Sequence, residues 1–251
     1  MSKKLFYDIE TAPIVGTVWG KYEQNLIWTI NDWYMLMFAY KWEHDKKTHV
    51  VALPDFKLYK KDPTNDLEVV KKLHELFNEA DIVVAHNGDQ FDQKKSNARF
   101  IYHDLEPVAP YQSIDTKKVA KRYFNFTSNK LDDLGTHFKL GNKLHTDYTL
   151  WQGCMSGDMK AWKAMKKYNI QDVVLLEKVY QKMMPWMTTH PNIATIDNKP
   201  SVCPKCGAEN SMQARGYRYT KVARYKCFRC RECRSHVSLR AAEKGQRIQY
   251  V

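Results

Sequence analysis

Hydrophobic and polar positions along the chain follow two periods, and together they predict an α/β domain. Leu5-Phe6-Tyr7-Asp8-Ile9-Glu10-Thr11 begins apolar and then alternates. That pattern predicts a strand with Asp8 and Glu10 on one face, about 6–7 Å apart. Ala12 to Asn31, with Pro13, Gly16, Trp19, Gly20 and Trp28, follows neither period and is read as a long ordered loop. Tyr34 to Trp42 and Thr48 to Leu53 predict two strands, antiparallel around a turn at Asp45-Lys46-Lys47. Leu67, Val70, Leu73, Leu76 and Phe77 recur at helical spacing within Asn65 to Ala80, and Asn65 with Glu68 fits a capping box. Asp81 to Ala85 is a short apolar strand. Asn87-Gly88 breaks it, Asp89 suits an N-cap, and a helix is expected to about His103. Ser113 to Thr116 ends a fifth strand, Asn129 to Phe138 makes a short helix, and a long helix runs from near Asp158 to about Met184. Strand, helix, strand is the signature of a crossover unit.

Prolines 185, 191 and 200 punctuate the chain after the long helix. They set the expected boundaries: a domain over 1–188, a linker over 189–200 and a small module over 201–251. Charge sharpens that division. The net charge is +12, yet Lys199 to Val251 holds thirteen Lys/Arg against three Asp/Glu, a net of +10, and leaves +2 for the remaining 198 residues. A compact basic module points to a phosphate backbone as partner. No apolar run approaches the ~20 residues that span a bilayer. The start of the chain is too short and too acidic for a secretory signal. Both observations predict an intracellular, cytoplasmic protein without a membrane partner.

Two sets of residues carry candidate chemistry. Asp8 and Glu10 on one strand face would repel each other unless a cation neutralises them, and hard divalent ions take carboxylates and water. Taken alone, such a pair is the polar edge of a strand, Asp92 is a helix-start acid, and Tyr168 and Asp172, four apart on one helix face, are interface residues. Asp115 suits an N-cap, Cys154 reads as buried, and His86, His137 and His145 lack paired metal-ligand spacing. Five of the six cysteines crowd into the basic tail. Cys203-Pro-Lys-Cys206 has tetrahedral zinc spacing, and a second pair lies among Cys227, Cys230 and Cys233. With strands over Ser211–Tyr219 and Val222–Phe228 between the pairs, the tail is read as a zinc ribbon. Metal would supply much of the stability of so small a module. Its Tyr217, Tyr219, Tyr225 and Phe228, interleaved with Arg and Lys, suit nucleic acid.

In order along the chain, Phe-Tyr-Asp8-Ile-Glu10-Thr, His-Asn87-Gly-Asp-Gln-Phe91-Asp92 and Tyr168-Asn-Ile-Gln-Asp172 resemble the three motifs of the DEDD superfamily of 3′–5′ exonucleases. The subclass is the one whose last motif is Tyr-x-x-x-Asp, similar to the proofreading domains of family B DNA polymerases. The whole chain resembles stand-alone exonucleases of tailed phages that end in a zinc ribbon, active within an infected bacterial host. The resemblance implies a ribonuclease H-like fold, a mixed five-stranded sheet with helices on both faces. It implies two Mg²⁺ or Mn²⁺ ions ~3.5–4 Å apart. Asp8 would bridge them, Glu10 and Asp172 would hold the ion carrying the nucleophile, and Asp92 would complete the site. A tyrosine with a pKa near ~10 is a poor base at neutral pH, so Tyr168 is expected to orient the attacking water. Thr11, Asn87 and Phe91 are expected to contact the terminal nucleotide at a single-stranded 3′ end. Trp19 and Trp28 are candidates to stack a base, although core burial is the commoner fate of such residues. The second motif also offers Asp89, and spacing favours Asp92.

Two zinc registers fit the tail, Cys227 with Cys230 or Cys230 with Cys233, and spacing does not choose. A ribbon knuckle ends one strand and starts another, which favours Cys203, Cys206, Cys230 and Cys233 around one structural Zn²⁺. The related phage ribbons place their pair likewise. A non-catalytic nucleic-acid adaptor and a structure-specific endonuclease on the same fold are the alternative functions.

Overall fold

The computed structural model describes residues 1–22, 25–141 and 146–243. They divide into two compact units, one within Lys3–Val179 and one from Tyr180 onward together with Met1–Ser2. In chain order the first carries β1 (Lys4–Thr11), β2 (Val15–Thr17), β3 (Trp28–Asn31), β4 (Met35–Trp42), β5 (His49–Ala52), α1 (Leu67–Glu79), β6 (Ile82–Ala85), α2 (Asp92–Tyr102), β7 (Gln112–Asp115), α3 (Thr116–Tyr123), α4 (Leu131–His137), α5 (Tyr148–Met155) and most of α6 (Met159–Met183).

Five of these strands make one mixed sheet in the order β5-β4-β1-β6-β7. β1 is its middle strand. Lys4 to Tyr7 are buried, as expected of a strand covered on both sides, and side chains first reach solvent at Asp8, Glu10 and Thr11. β1 runs antiparallel to β4 along its length but parallel to β6 only through Lys4–Phe6. Beyond Phe6 the β6 side of β1 therefore has no strand among the described residues. A bulge between Glu10 and Thr11 shifts the β4 ladder before its last pair, Thr11 with Met35, a device that re-aims side chains next to functional sites. Leu5, Tyr7, Phe38, Val70, Leu73 and Phe77 are core residues. α1 packs on β4, β5 and α2.

Several expectations need correction. Ala12–Asn31 is not all loop, because β2 and β3 pair antiparallel as a separate hairpin. β3 is exposed throughout, so no buried face imposed a period on it. Trp19, Trp28 and Phe91 are exposed rather than core residues. Asp89 does not cap α2. Asn87 takes the left-handed conformation at φ 67° and the helix starts at Asp92 with Phe91 in the cap position. The turn is tight: a Cβ on Gly88 would lie 2.5 Å from that of Ala85. Asp89 instead binds Ser113 Oγ and Lys118 Nζ, each at 2.6 Å. The cap of α1 is Asp66, one residue past the expected Asn65, and no capping box forms with Glu68. Asp66 is fully buried. It accepts bonds from Arg99 Nε (2.7 Å), Arg99 Nη2 (2.5 Å) and Met35 N (2.7 Å), with His103 Nε2 2.6 Å away. Arg99 and His103 come from the end of α2, so this one carboxylate ties α1 to α2 and to the start of β4. α5 is an addition to the expected elements. Asp115 does cap α3, accepting from Lys117 N and Lys118 N. Cys154 is buried, and burial pushes its thiol up to about 12. His145 lies outside the described residues.

The second unit holds α7 (Ile193–Ile196), β8 (Met212–Tyr219), β9 (Arg224–Cys230) and β10 (His236–Ser238), the strands forming a sheet in the order β10-β9-β8. The segment read as a linker thus contains a helical turn. Its Ile193 is buried and donates its backbone N–H to Pro204 O at 2.8 Å.

Candidate active site

The acids gather where β1 runs on beyond β6 while still paired with β4. Carboxylate oxygens of Asp8, Glu10 and Asp172 lie within 4.8 Å of one another. Alternation along β1 supplies the first two, and the inward face of α6 supplies the third. Asp172 is 1% exposed, and burying a carboxylate is costly unless it is paired or holds a metal. The set could hold a hard divalent cation.

Asp92 is not part of that close triad. It is buried, and its Oδ1 accepts the backbone N–H of Ile9, the residue between Asp8 and Glu10, at 3.2 Å. The side chain occupies the β1 edge that β6 leaves, standing in for a ladder partner. Burial first, and then the charge of Asp92, hold the Tyr7 phenol well above its ordinary range. Tyr168 stands one turn before Asp172, its ring edge-on to Trp151 with centroids 6.2 Å apart.

One residue inside the third motif escaped the sequence reading. Asn169 is fully buried, and its Nδ2 donates to Asp8 Oδ2 (2.7 Å) and Asp8 O (3.3 Å). Two oxygen acceptors fix the amide's orientation. The bond ties α6 to β1 and leaves Asp8 fewer rotamers. A buried Asn directly after Tyr168 on a core-facing helix was the available signal, since such a side chain needs a polar partner.

An open groove of about 650 Å³ begins at Thr11, the residue after Glu10, and is lined in part by Trp33, Lys95 and Trp151, with none of Asp8, Glu10, Asp92 or Asp172 in its lining. Lys95 Nζ sits 3.6 Å from the centre of the Trp33 ring and 5.9 Å from that of Phe91. Burial lowers its pKa. Thr11 thus lines this groove and Phe91 lies near its Lys95 without lining it, whereas Asn87 belongs to the turn before α2, its backbone N–H bound to Asp115 Oδ1 at 3.0 Å.

In the second unit the sulfurs of Cys203, Cys206, Cys230 and Cys233 lie within 4.8 Å of one another. Cys203–Cys233 and Cys206–Cys230 are each 3.7 Å apart. A disulfide would need about 2.05 Å, whereas a zinc tetrahedron with ~2.3 Å bonds has edges of about 3.8 Å. The cluster therefore fits a tetrahedral metal ion. The two knuckles match. Gly207 N donates to Cys203 O at 2.9 Å, and Arg234 N donates to Cys230 O at 3.1 Å. Gly207 and Arg234 are left-handed at φ 71° and 62°. Cys227 lies within β9, paired with Ser238 of β10, outside the cluster. Hydrogen bonding with Cys203 holds the Cys233 thiol well below the ordinary cysteine range.

A family model described as the RNase H superfamily matches residues 5–184. No curated protein matches the sequence. Among solved structures, the family B DNA polymerase from the hyperthermophilic archaeon Pyrobaculum calidifontis is similar, with a TM-score of 0.52 and 12% identity over 88% of this chain. The match spans 31% of the polymerase chain, and at that identity it speaks for the fold. No helix among the described residues is long and apolar enough to cross a membrane. The central strand, the acids at its end and a family match across most of the chain agree: the protein belongs to the RNase H superfamily, with an RNase H-like nuclease fold.

Proposed function

We propose that the protein is a metal-dependent 3′–5′ exonuclease that releases 5′-mononucleotides from single-stranded 3′ ends, of DNA rather than RNA. The observation that carries this reading is the convergence of Asp8, Glu10 and Asp172 within 4.8 Å on an RNase H-like sheet. These three, with Asp92, would hold two Mg²⁺ or Mn²⁺ ions. When bound, the ions supply an activated water at neutral pH and charge neutralisation at the scissile phosphate. Asn169 would keep the Asp8 carboxylate in its ligating orientation. Tyr168 would orient the attacking water through its hydroxyl, and Thr11, Asn87 and Phe91 would contact the terminal nucleotide. In the tail, Cys203, Cys206, Cys230 and Cys233 would hold one structural Zn²⁺, and the basic ribbon of 201–251 would bind the strand's phosphates.

The test uses 5′-labelled DNA and RNA oligonucleotides with Mg²⁺, Mn²⁺ or EDTA. A ladder shortening from the 3′ end, with mononucleotides released and EDTA abolishing both, is expected of the wild type. Asp8→Asn should leave the substrate intact. Internal fragments would identify an endonuclease instead, and binding without turnover an adaptor.

A further inference from the structure

Eight of the nineteen exposed large hydrophobic residues among those described fall between Ile14 and Ile30, on and around the β2–β3 hairpin. Trp19 is 83% exposed, Tyr22 91% and Trp28 71%. A two-stranded ribbon is marginal in water by itself, and so dense a run of exposed large apolar side chains in one hairpin points to a binding surface. Its chemistry narrows the ligand. From Ile14 to Ile30 the sequence has one Lys and one Glu, so the hairpin offers little to phosphates. What it offers is rings. Base–aromatic stacking needs no sequence preference and no charge.

Its position narrows the ligand further. The hairpin springs from the end of β1 that carries the acids, and Ala12 N donates to Tyr34 O at 2.9 Å across its base. Thr11, which directly follows Glu10, and Ile14 on one stem, and Trp33 beyond the other, line the groove. The groove is thus lined at the base of both hairpin stems.

We infer that the β2–β3 hairpin is a stacking platform for unpaired bases of the nucleic-acid strand that leads into the acidic site, with Trp19, Tyr22 and Trp28 as its rings. This rests on the nuclease reading for the identity of the strand. Eight residues separate Thr11 from Trp19, so the Trp19 backbone stands at most about 29 Å along the chain from the acid-bearing end of β1. That is about eight nucleotides of stacked strand at ~3.4 Å each.

Length dependence therefore tests it. In full-length Asp8→Asn protein, which keeps substrate intact, fluorescence anisotropy measures Kd for labelled dT12 and dT3. Adding Trp19→Ala with Trp28→Ala should raise the dT12 Kd about tenfold or more and leave the dT3 Kd within about twofold. Trp19→Phe should restore part of the loss. If the double variant melts early, Trp19→Ala alone carries the same comparison. A folded variant with unchanged dT12 affinity overturns the inference. So does a wild type that self-associates through the hairpin, with Trp19→Ala giving monomers of unaltered dT12 affinity. A parent that binds dT12 but whose wild type never hydrolyses it overturns only the nuclease reading. A parent that binds no oligonucleotide overturns both.

Discussion

Asn169 shows how much one buried amide can decide. Its two bonds to Asp8 hold the acid that the proposed mechanism uses most. Asn169→Leu keeps the volume and removes the donor. It should cost about 10–100-fold in activity, the usual range for a residue that orients a metal ligand. It should also raise the Mg²⁺ concentration needed for half-maximal rate, which a merely structural loss would leave alone. The neighbouring acids should separate just as sharply. Asp89 sits in an ion pair with Lys118 at 2.6 Å, and Asp92 holds the backbone between Asp8 and Glu10. Asp89→Asn should be mild and Asp92→Asn severe in the mononucleotide assay, and the reverse order would move the fourth ligand to Asp89.

Elements were legible where a buried face imposed a period. β1, β4, β5, β6, α1 and α6 all fall within about two residues of their expected ends, because each buries an apolar stripe or run. The β2–β3 hairpin, α5 and α7 were not legible, since each is short and at least partly exposed. The start of α2 departs from its expected place because the turn depends on Asn87 going left-handed and on Gly88 packing against Ala85. Neither shows in a hydropathy pattern. Within the candidate site, strand alternation anticipates that Asp8 and Glu10 share a face. The bond from Ile9 to Asp92 and the donor on Asn169 depend on side-chain contacts between elements, which spacing does not encode. The ribbon strands give the zinc test its logic. Cys230 closes β9 and opens the second knuckle, whereas Cys227 is interior to the strand. Cys233→Ser should lose the zinc and unfold the tail, and Cys227→Ser should keep one ion per chain by elemental analysis. Retention in Cys233→Ser with loss in Cys227→Ser would prove the other register.

For the whole molecule, the charge division predicts a division of labour. Arg215, Lys221 and Lys226 are exposed on the ribbon hairpin. Changing all three to Gln removes up to three phosphate contacts. On a single strand the slope of log K against log salt should then fall by about 2. Turnover of trinucleotides should be unchanged, and an unchanged slope would mean that this face does not meet the strand.

The two ligand clusters differ in kind as well as in place, three hard oxygens in one and four soft sulfurs in the other. A chelator added to this protein therefore poses two questions at once. On the proposed function, magnesium returned by itself should answer only the first, by restoring cleavage of short strands. Whatever grip on long strands stays lost until zinc is supplied belongs to the tail. Order of addition, a variable usually left to habit, thus becomes the instrument that tells cutting from holding.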